Sequence, residues 1–457
     1  MRDFTQGNPL RQIAVFALPV LIGNIFQQVY SMVDAIVVGQ LLGGKALAAV
    51  GVCTMLLNFL LSVLIGLTTG ASVVVSQFYG AKKMDELKRT VCTNMIFLLA
   101  LSLLISLVSV AGSGLLLRLL DTPQDIFDDA QAYLRIMMAG TVFAMLFNIY
   151  SAFMRAFGES KIPLYFLIFS TILNIGLDYA FVAWLHMGVA GAAYATVISQ
   201  ALAAFLCWFH AKNHMRLLHV DQWIFDKKLC RLTLRHSIPA AVQMSVTSLA
   251  TLTLTRLVNT FGSISVAGYT AAIRMDAFVM MPLQSLSMSA STFVAQNIGA
   301  GSQKRAKKGL HATMTLMVSL AVILSAFIFI FCRPMIALFI DSADINAASI
   351  VAIGVKYLTT LAYFYVLFAV FFAFNGFFRG VGDAVIVMIL TISSLSIRAV
   401  AAYWLAHQFN MGPEAIAYSI PIGWGLCCIA CFIYYKKRLW AGKAAVSKGG
   451  NVEAADA

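Results

Sequence analysis

A chain of 457 residues in which 61% are hydrophobic and only 11% charged, with a mean hydropathy of +0.86, carries more apolar surface than a soluble core of that length can hide. It belongs in a bilayer, which excludes a soluble protein. The 32 Lys and Arg against 19 Asp and Glu leave a formal net charge of +13. In a soluble chain that balance would point to nucleic acid, so the positions of the charges decide its meaning.

Apolar stretches long enough to cross about 30 Å of hydrocarbon as helices recur along the chain. Twelve are expected: 13–39, 46–78, 91–117, 132–154, 162–185, 189–210, 238–260, 266–298, 311–332, 357–378, 385–406 and 415–435. The first begins close to Met1 but is too long for a signal-peptide core and has no small-residue cleavage site after it, so it is read as span 1. Within it, Pro19 removes a backbone hydrogen bond and permits a bend. Beyond the proline, Asn24, Gln27, Ser31 and Asp34 are spaced three, four and three apart. They share one helical face, expected to point into the bundle.

Span 5 repeats the pattern with Asn174 and Asp178, four apart, and span 6 adds Thr196, Ser199 and Gln200. A carboxylate in hydrocarbon costs at least a few kcal/mol, so it needs a partner or a use. The first six spans contain two such acids and no basic residue in their interior to neutralise them, Arg135 standing at the outer edge of span 4, which favours an ion site. Carboxylate and amide oxygens suit a proton carrier or a hard cation such as sodium, and residue type does not separate the two. The alternative is a set of polar groups that only tie spans 1, 5 and 6 together.

A basic stretch, 211–236, joins the first half, 1–210, to the second, 237–440. The second half starts with Pro239 in the place of Pro19, and its polar chemistry differs. Span 7 carries Gln243 and Arg256, span 8 Arg274 and Asp276, span 10 Tyr365 and Asn375, and span 11 Arg398. These either form a structural ion network or line a cavity that binds anionic substrate groups. Arg274 and Asp276, two apart, do not face each other, which makes Arg398 the expected partner of Asp276. Aromatic and Met-rich stretches on spans 7, 8 and 10 could accommodate varied ligands or simply face lipid. The tail, 441–457, is small and polar and is expected to be disordered.

The two halves are copies in the same order. Tyr133 to Tyr194 overlays Tyr357 to Tyr418 without a gap, so that Phe153-Met-Arg155-Ala-Phe-Gly158-Glu159 meets Phe377-Phe-Arg379-Gly-Val-Gly382-Asp383. Upstream, Ser72-x-x-Val75-Ser-Gln77-x-x-Gly80-Ala81 meets Ser291-x-x-Val294-Ala-Gln296-x-x-Gly299-Ala300. A period of about 220 residues is too long for a solenoid and means duplicated domains, a recurrent plan in secondary transporters. In this overlay Asn174 falls on Arg398 and Asp178 on Ala402, which argues for one ion site, in the first half. Arg155 and Arg379 are read as anchors snorkelling at the cytoplasmic ends. Gly66-x-x-x-Gly70 and Gly376-x-x-x-Gly380 are weak packing signals.

The basic residues alternate from loop to loop. If the N-terminus is cytoplasmic, the inner side holds most of them, including Lys82, Lys83, Lys88, Arg89, Lys227, Lys228, Lys304, Arg305, Lys307, Lys308, Lys436 and Lys437. The outer side has Lys45, Arg118, Arg135, Arg333 and Lys356, and an acidic loop with Asp121, Asp125, Asp128 and Asp129. This asymmetry places both termini in the cytoplasm of a multi-pass cell (inner) membrane protein and accounts for the charge without a nucleic-acid partner. Trp184, Trp208, Trp404 and Trp440 fall near span ends as an interfacial belt, and the eight cysteines read as small buried hydrophobes. No Gly-x-x-x-x-Gly-Lys-Ser/Thr loop or His-Glu-x-x-His pair is present, and the seven histidines lie in loops or near span ends, so an intramembrane enzyme is not expected.

Pro19-x-x-x-x-Asn24, Gln27-Gln28-x-Tyr30-x-x-x-Asp34-x-x-x-Val38-Gly39 and Asn174-x-x-x-Asp178, read beside the duplicated Gln-x-x-Gly-Ala blocks, make the chain resemble the multidrug and toxic compound extrusion (MATE) family over nearly all twelve spans. With Asp34 on span 1 and Asp178 on span 5 it is similar to the DinF-like branch. It departs from the NorM-type branch in having no carboxylate on spans 7 and 10. The resemblance implies an all-α V-shaped pair of six-helix lobes, monomeric and without cofactor, that exports amphipathic, often cationic, small molecules in exchange for protons or sodium. It also brings Tyr133 into the ion site with Asp34, Asn174, Asp178 and Thr196. Asn24, Gln27, Gln243, Arg274, Asp276, Tyr365 and Arg398 become candidate cavity residues, with bends at Pro19 and Pro239. The rival reading is a flippase for a lipid-linked or anionic amphipathic precursor.

Overall fold

A computed structural model describes residues 2–215, 217–218, 223–340 and 345–446, and no β-strand occurs among them. The final stretch of the expected tail, beyond Val446, and part of the 211–236 linker lie outside the described residues. The first helical run, Pro9–Gly80, spans 72 residues, about twice what one crossing needs. It is broken at Gly43, whose φ of 84° favours glycine. We therefore distinguish α1 (9–42) and α2 (44–80). There follow α3 (Met84–Ala111), the short α4 (Ser113–Leu119), α5 (Phe127–Ala156), α6 (Lys161–Asp178) and α7 (Gly188–His214). The second half comprises α8 (Lys227–Asn259), α9 (Ser263–Gly299), α10 (Gln303–Ala337), α11 (Ala347–Ala362), α12 (Tyr365–Val381), α13 (Ala384–Gln408) and α14 (Glu414–Lys436).

Ten of the helical runs are long and apolar enough to cross a membrane, and the bent pair α11–α12 makes eleven. Dividing the first run at Gly43 accounts for the twelfth expected span. The tenth span, expected as one helix over 357–378, is instead two helices meeting at 54° around Tyr363 and Phe364. That break places Tyr365 at the start of a new helix.

The chain forms two compact units. Leu18–Ala241 makes the body of the first; the described chain from Val242, joined by Phe4–Ala17, makes the second. Each unit thus takes in the leading part of a helix whose remainder belongs to the other, and the changeovers fall within about two residues of Pro19 and Pro239. Both prolines lie inside continuous helix.

In the first unit the core gathers Val38, Ala49, Cys53, Leu134, Met138, Val182 and Ala192. Its α7 is lined with small buried residues, among them Ala192, Ala195, Thr196, Ser199, Ala203 and Cys207. Small residues let helices approach closely without a water-driven hydrophobic force. The Gly66-x-x-x-Gly70 pair does the same: a Cβ on Gly66 would stand 2.4 Å from Cα of Ala241, and one on Gly70 2.3 Å from Cα of Ser237. In the second unit, Cβ atoms on Gly376 and Gly380 would each lie 2.5 Å from a carbonyl oxygen of α9, those of Ser287 and Ser291. Both glycine pairs are backbone contacts.

The N-terminal segment is fastened to the second unit. The Phe4 N–H donates to Gln296 Oε1 at 3.1 Å, while its carbonyl accepts from Asn297 Nδ2 at 3.1 Å and Arg305 Nε at 3.0 Å. The Phe4 ring, 1% exposed, lies between Phe16 and Phe293. The second copy of the Gln-x-x-Gly-Ala block thus supplies the socket for this segment. In the first unit the end of the linker rests on α3, with Ile224 N–H to Cys92 Sγ at 3.2 Å and Asp226 N–H to Thr93 Oγ1 at 3.1 Å. Asp226 then caps α8 by accepting from the Lys228 and Leu229 N–H groups.

Two sequence expectations change. Trp440 is not interfacial: at 2% exposure it packs on Phe377 and stacks on Tyr435, while Trp184, Trp208 and Trp404 are exposed as a belt would be. The repeated arginines do not snorkel outward. Arg379 donates to Gln243 Oε1 at 3.2 Å, and the Nε of Arg155 is buried without a partner.

Gly70→Leu is expected to drive a side chain into the α8 backbone and cost about 1–3 kcal/mol, as overpacking does, and Phe4→Ala about 3 kcal/mol through the cavity it leaves. Thermal melting of the purified protein in detergent, with an exposed-site control such as Leu338→Ala, checks both.

Candidate functional site

The first unit brings six polar side chains from four helices together. Asn174 and Asp178, one turn apart on α6, are both 0% exposed, and Thr196 on α7 is 2% exposed. Thr196 Oγ1 accepts from the Tyr30 hydroxyl at 3.0 Å and lies 3.5 Å from Asn174 Nδ2. Asp34, on α1 one turn beyond Tyr30, is within electrostatic reach of Asp178. Tyr133 on α5, 3% exposed, is within reach of both acids and of Tyr30. Its burial removes the interfacial role a tyrosine near a span end would otherwise have.

Immediately after Asp178 the α6 helix loosens into a π-helical stretch, Tyr179–Trp184. Such stretches interrupt the regular ladder and often accompany function. Here it forms the continuation of the helix that carries both Asn174 and Asp178.

Four oxygens of this cluster are left without partners. Asp34 Oδ1, Asn174 Oδ1 and both carboxylate oxygens of Asp178 are buried with no hydrogen-bond donor. Nor does Asp34 or Asp178 form an ion pair with any described residue, unlike the acids of Lys45–Asp125, Lys83–Glu86 and Lys356–Glu414. Buried polar atoms are nearly always satisfied, and each orphan costs about 1–3 kcal/mol, more when charged. Four orphaned oxygens from three residues form a cradle that a proton or a small hard cation would satisfy.

Tyr30 was not among the expected site residues, although its spacing of four from Asp34 is a usable signal. The polar stripe on α1 is rotated from expectation: Tyr30 and Asp34 turn inward, whereas Gln27 and Ser31 remain exposed and Asn24 is half-buried. The inward face is the one that the large Tyr30 ring and the Asp34 carboxylate share.

The second-half candidates do not form one cluster. Gln243 donates to Thr391 Oγ1 at 3.0 Å and accepts from Arg379, so its amide is engaged inside the bundle. Arg274 is exposed. Asp276 does not pair with Arg398, as expected from sequence, but accepts from the Tyr365 hydroxyl at 2.8 Å. The break between α11 and α12 puts that hydroxyl first in line.

Two duplicated helical bundles with unpartnered carboxylate and amide oxygens buried in one of them define a transporter class of membrane protein. The MatE family model matches residues 19–180 and again 239–404, opening at the two equivalent prolines, and the chain belongs to that family. It is therefore a transporter and not an enzyme. It is 31% identical to "Probable multidrug resistance protein YpnP" of Bacillus subtilis (strain 168), covering 96% of this chain and 97% of that one. It is 28% identical to "Probable multidrug resistance protein YoeA" of the same organism, over 93% of each. A solved MOP superfamily transporter from Pyrococcus furiosus superposes with a TM-score of 0.89 at 23% identity, covering 96% and 98% of the two chains, which shows the shared fold.

Thr196→Val should remove the acceptor of Tyr30 and Asn174 and destabilise the first unit by about 1–3 kcal/mol. Melting of the purified variant beside Thr196→Ser, which keeps the hydroxyl and is expected to stay near wild type, is the check.

Proposed function

We propose that the protein is a proton- or sodium-coupled antiporter that exports amphipathic, cationic small molecules across the cell membrane, working as other multidrug exporters of its family are named to do. The observation that carries this reading is the set of unpartnered oxygens of Asp34, Asn174 and Asp178 in the first unit. Loading that cradle with a cation would compensate buried charge, so occupancy changes the packing of α1 against α6 and α7. Tyr133, Tyr30 and Thr196 hold the cradle's shape. Pro19, beside the changeover between the units, lets the two parts of α1 respond separately. The arrangement of acids on α1 and α6, with none on α8 or α12, supports assignment to the DinF-like branch.

The charge pattern supports cytoplasmic termini, because Lys82, Lys83, Lys88 and Arg89 and their counterparts Lys304, Arg305, Lys307 and Lys308 fall on one side in both halves. The energetics suffice: one proton entering across about 100 mV yields roughly 2.3 kcal/mol, and one pH unit about 1.4 kcal/mol more. Together these sustain a substrate gradient on the order of several hundredfold.

Dye export from proteoliposomes under separately imposed proton and sodium gradients tests the reading. Wild type is expected to respond to one of the two gradients, with Asp34→Asn abolishing the response and Asp178→Asn reducing it at least about tenfold. Normal gradient-driven export by Asp34→Asn would overturn the assignment.

A further inference from the structure

Both halves keep an arginine at the same place, Arg155 near the end of α5 and Arg379 near the end of α12, but its surroundings differ. In the second unit Arg379 donates to Gln243 Oε1 at 3.2 Å, and the Gln243 amide donates in turn to Thr391 Oγ1 at 3.0 Å. The first unit retains the arginine and lacks both partners. Counted from the two equivalent prolines, Gly23 stands where the second half has Gln243, and the gapless overlay puts Leu167 where it has Thr391. The fold agrees with that correspondence: a Cβ on Gly23 would meet Leu167 Cδ2 at 3.6 Å and Leu164 Cδ1 at 3.7 Å, just as Gln243 meets Thr391.

Arg155 is left with a charge and no acceptor. It makes no hydrogen bond or ion pair among the described residues, and its Nε is buried. Ser151, one turn earlier on the same face of α5, is buried with its Oγ likewise unpartnered. The group that α7 brings toward both is the buried Cys207 thiol, a weak acceptor. Glu159 does not serve as the counter-charge: it lies past the helix end, where Gly158 has a φ of 76°, accepts from the Lys161 N–H at 3.1 Å and stands beside His210. A guanidinium without an acceptor bears its desolvation cost uncompensated. Arg155 as a whole keeps partial exposure, so a ligand can approach it from outside the bundle.

We propose that Arg155 and Ser151 form a binding site for a phosphate-type oxyanion in the first unit, in the place that the Gln243 amide fills in the second. A guanidinium offers an oxyanion two parallel N–H donors, and a hydroxyl adds a third from another direction, which suits a tetrahedral group. The neighbourhood is basic. The Arg2 N–H donates to the Phe157 carbonyl, and Tyr79, which leads into Lys82 and Lys83, packs on the Phe157 ring at 5.2 Å. A phospholipid headgroup and free phosphate both carry this chemistry. The site shares no residue with the cradle of Asp34, Asn174 and Asp178, and its binding does not depend on the transport reading.

Calorimetric titration of inorganic phosphate into the purified full-length protein, in neutral detergent at constant ionic strength, tests it. Wild type is expected to bind one saturable equivalent. Arg155→Gln should weaken binding at least about tenfold, while Arg155→Lys keeps part of it because the charge stays and the fork is lost. Gly23→Gln supplies the missing amide, and its Cβ meets only leucine side chains at ordinary contact distance. It is expected to abolish phosphate binding without lowering the melting temperature, which separates filling of the site from unfolding. Nanodiscs distinguish the sources: a headgroup occupant makes phosphatidylglycerol, and not phosphatidylcholine, compete with phosphate in wild type, whereas a free-phosphate site binds equally in both lipids. Absence of saturable binding of phosphate together with no phosphatidylglycerol retained by wild type over Arg155→Gln would overturn the proposal. So would phosphate binding that survives both Arg155→Gln and Gly23→Gln unchanged. With no gradient imposed, either result leaves the ion-coupling reading untouched.

Discussion

The constraint on which the rest depends is the cost of leaving carboxylate oxygens buried in hydrocarbon without a donor or counter-charge. Asp178 has both oxygens in that condition at zero exposure, and Asp34 shares it through Oδ1. A stable protein keeps such groups only if something compensates them for part of the time. The surrounding design makes that compensation local. Small residues along α7 bring Thr196 up to α6, its hydroxyl orients Tyr30 and Asn174, and among the described residues no arginine or lysine pairs with either acid. An arginine there would have satisfied the acids permanently and removed any dependence on an external ion.

The duplication shows what happens when that choice is reversed. The overlay of the halves puts Arg398 where the first half has Asn174, and Ala402 where it has Asp178. The scaffold persists, with Tyr133 and Tyr357 both buried and glycines at close helix crossings in each unit. The chemistry does not: one copy presents bare oxygens to a cation, while the other carries a fixed cation of its own. On the function proposed above, this difference in charge would give the doubled fold a single ion site and leave the second copy for contacts with substrate.

Much of this was legible in the sequence because it rests on period and composition. Length and hydropathy gave the spans; the exact-offset overlay gave the halves; Asp34, Asn174 and Asp178 stood out as polar groups at helical spacing in apolar surroundings. What escaped depends on rotation and on competition between donors. Tyr30 reads as an ordinary aromatic until α1 is turned so that it, and not Gln27 or Ser31, faces inward. The pairing of Asp276 with Tyr365 depends on a 54° break within an apolar run whose periodicity gives no warning of it. Arg155 and Arg379 satisfy the composition rule for anchors at span ends, but that rule does not contain the direction in which a long side chain leaves its helix. The glycine pairs looked weak for a related reason, since close approach requires a partner that only the fold supplies.

The central claim is that Asp34 and Asp178 share a cation-dependent site. Carboxyl infrared difference spectroscopy on the purified protein, titrated separately with protons and with sodium, reads that site without reference to substrate. The account predicts a carboxyl signal that changes on loading with at least one of the two ions and disappears when both residues are replaced by asparagine. A spectrum indifferent to both ions, or a signal that survives the double replacement, would contradict it.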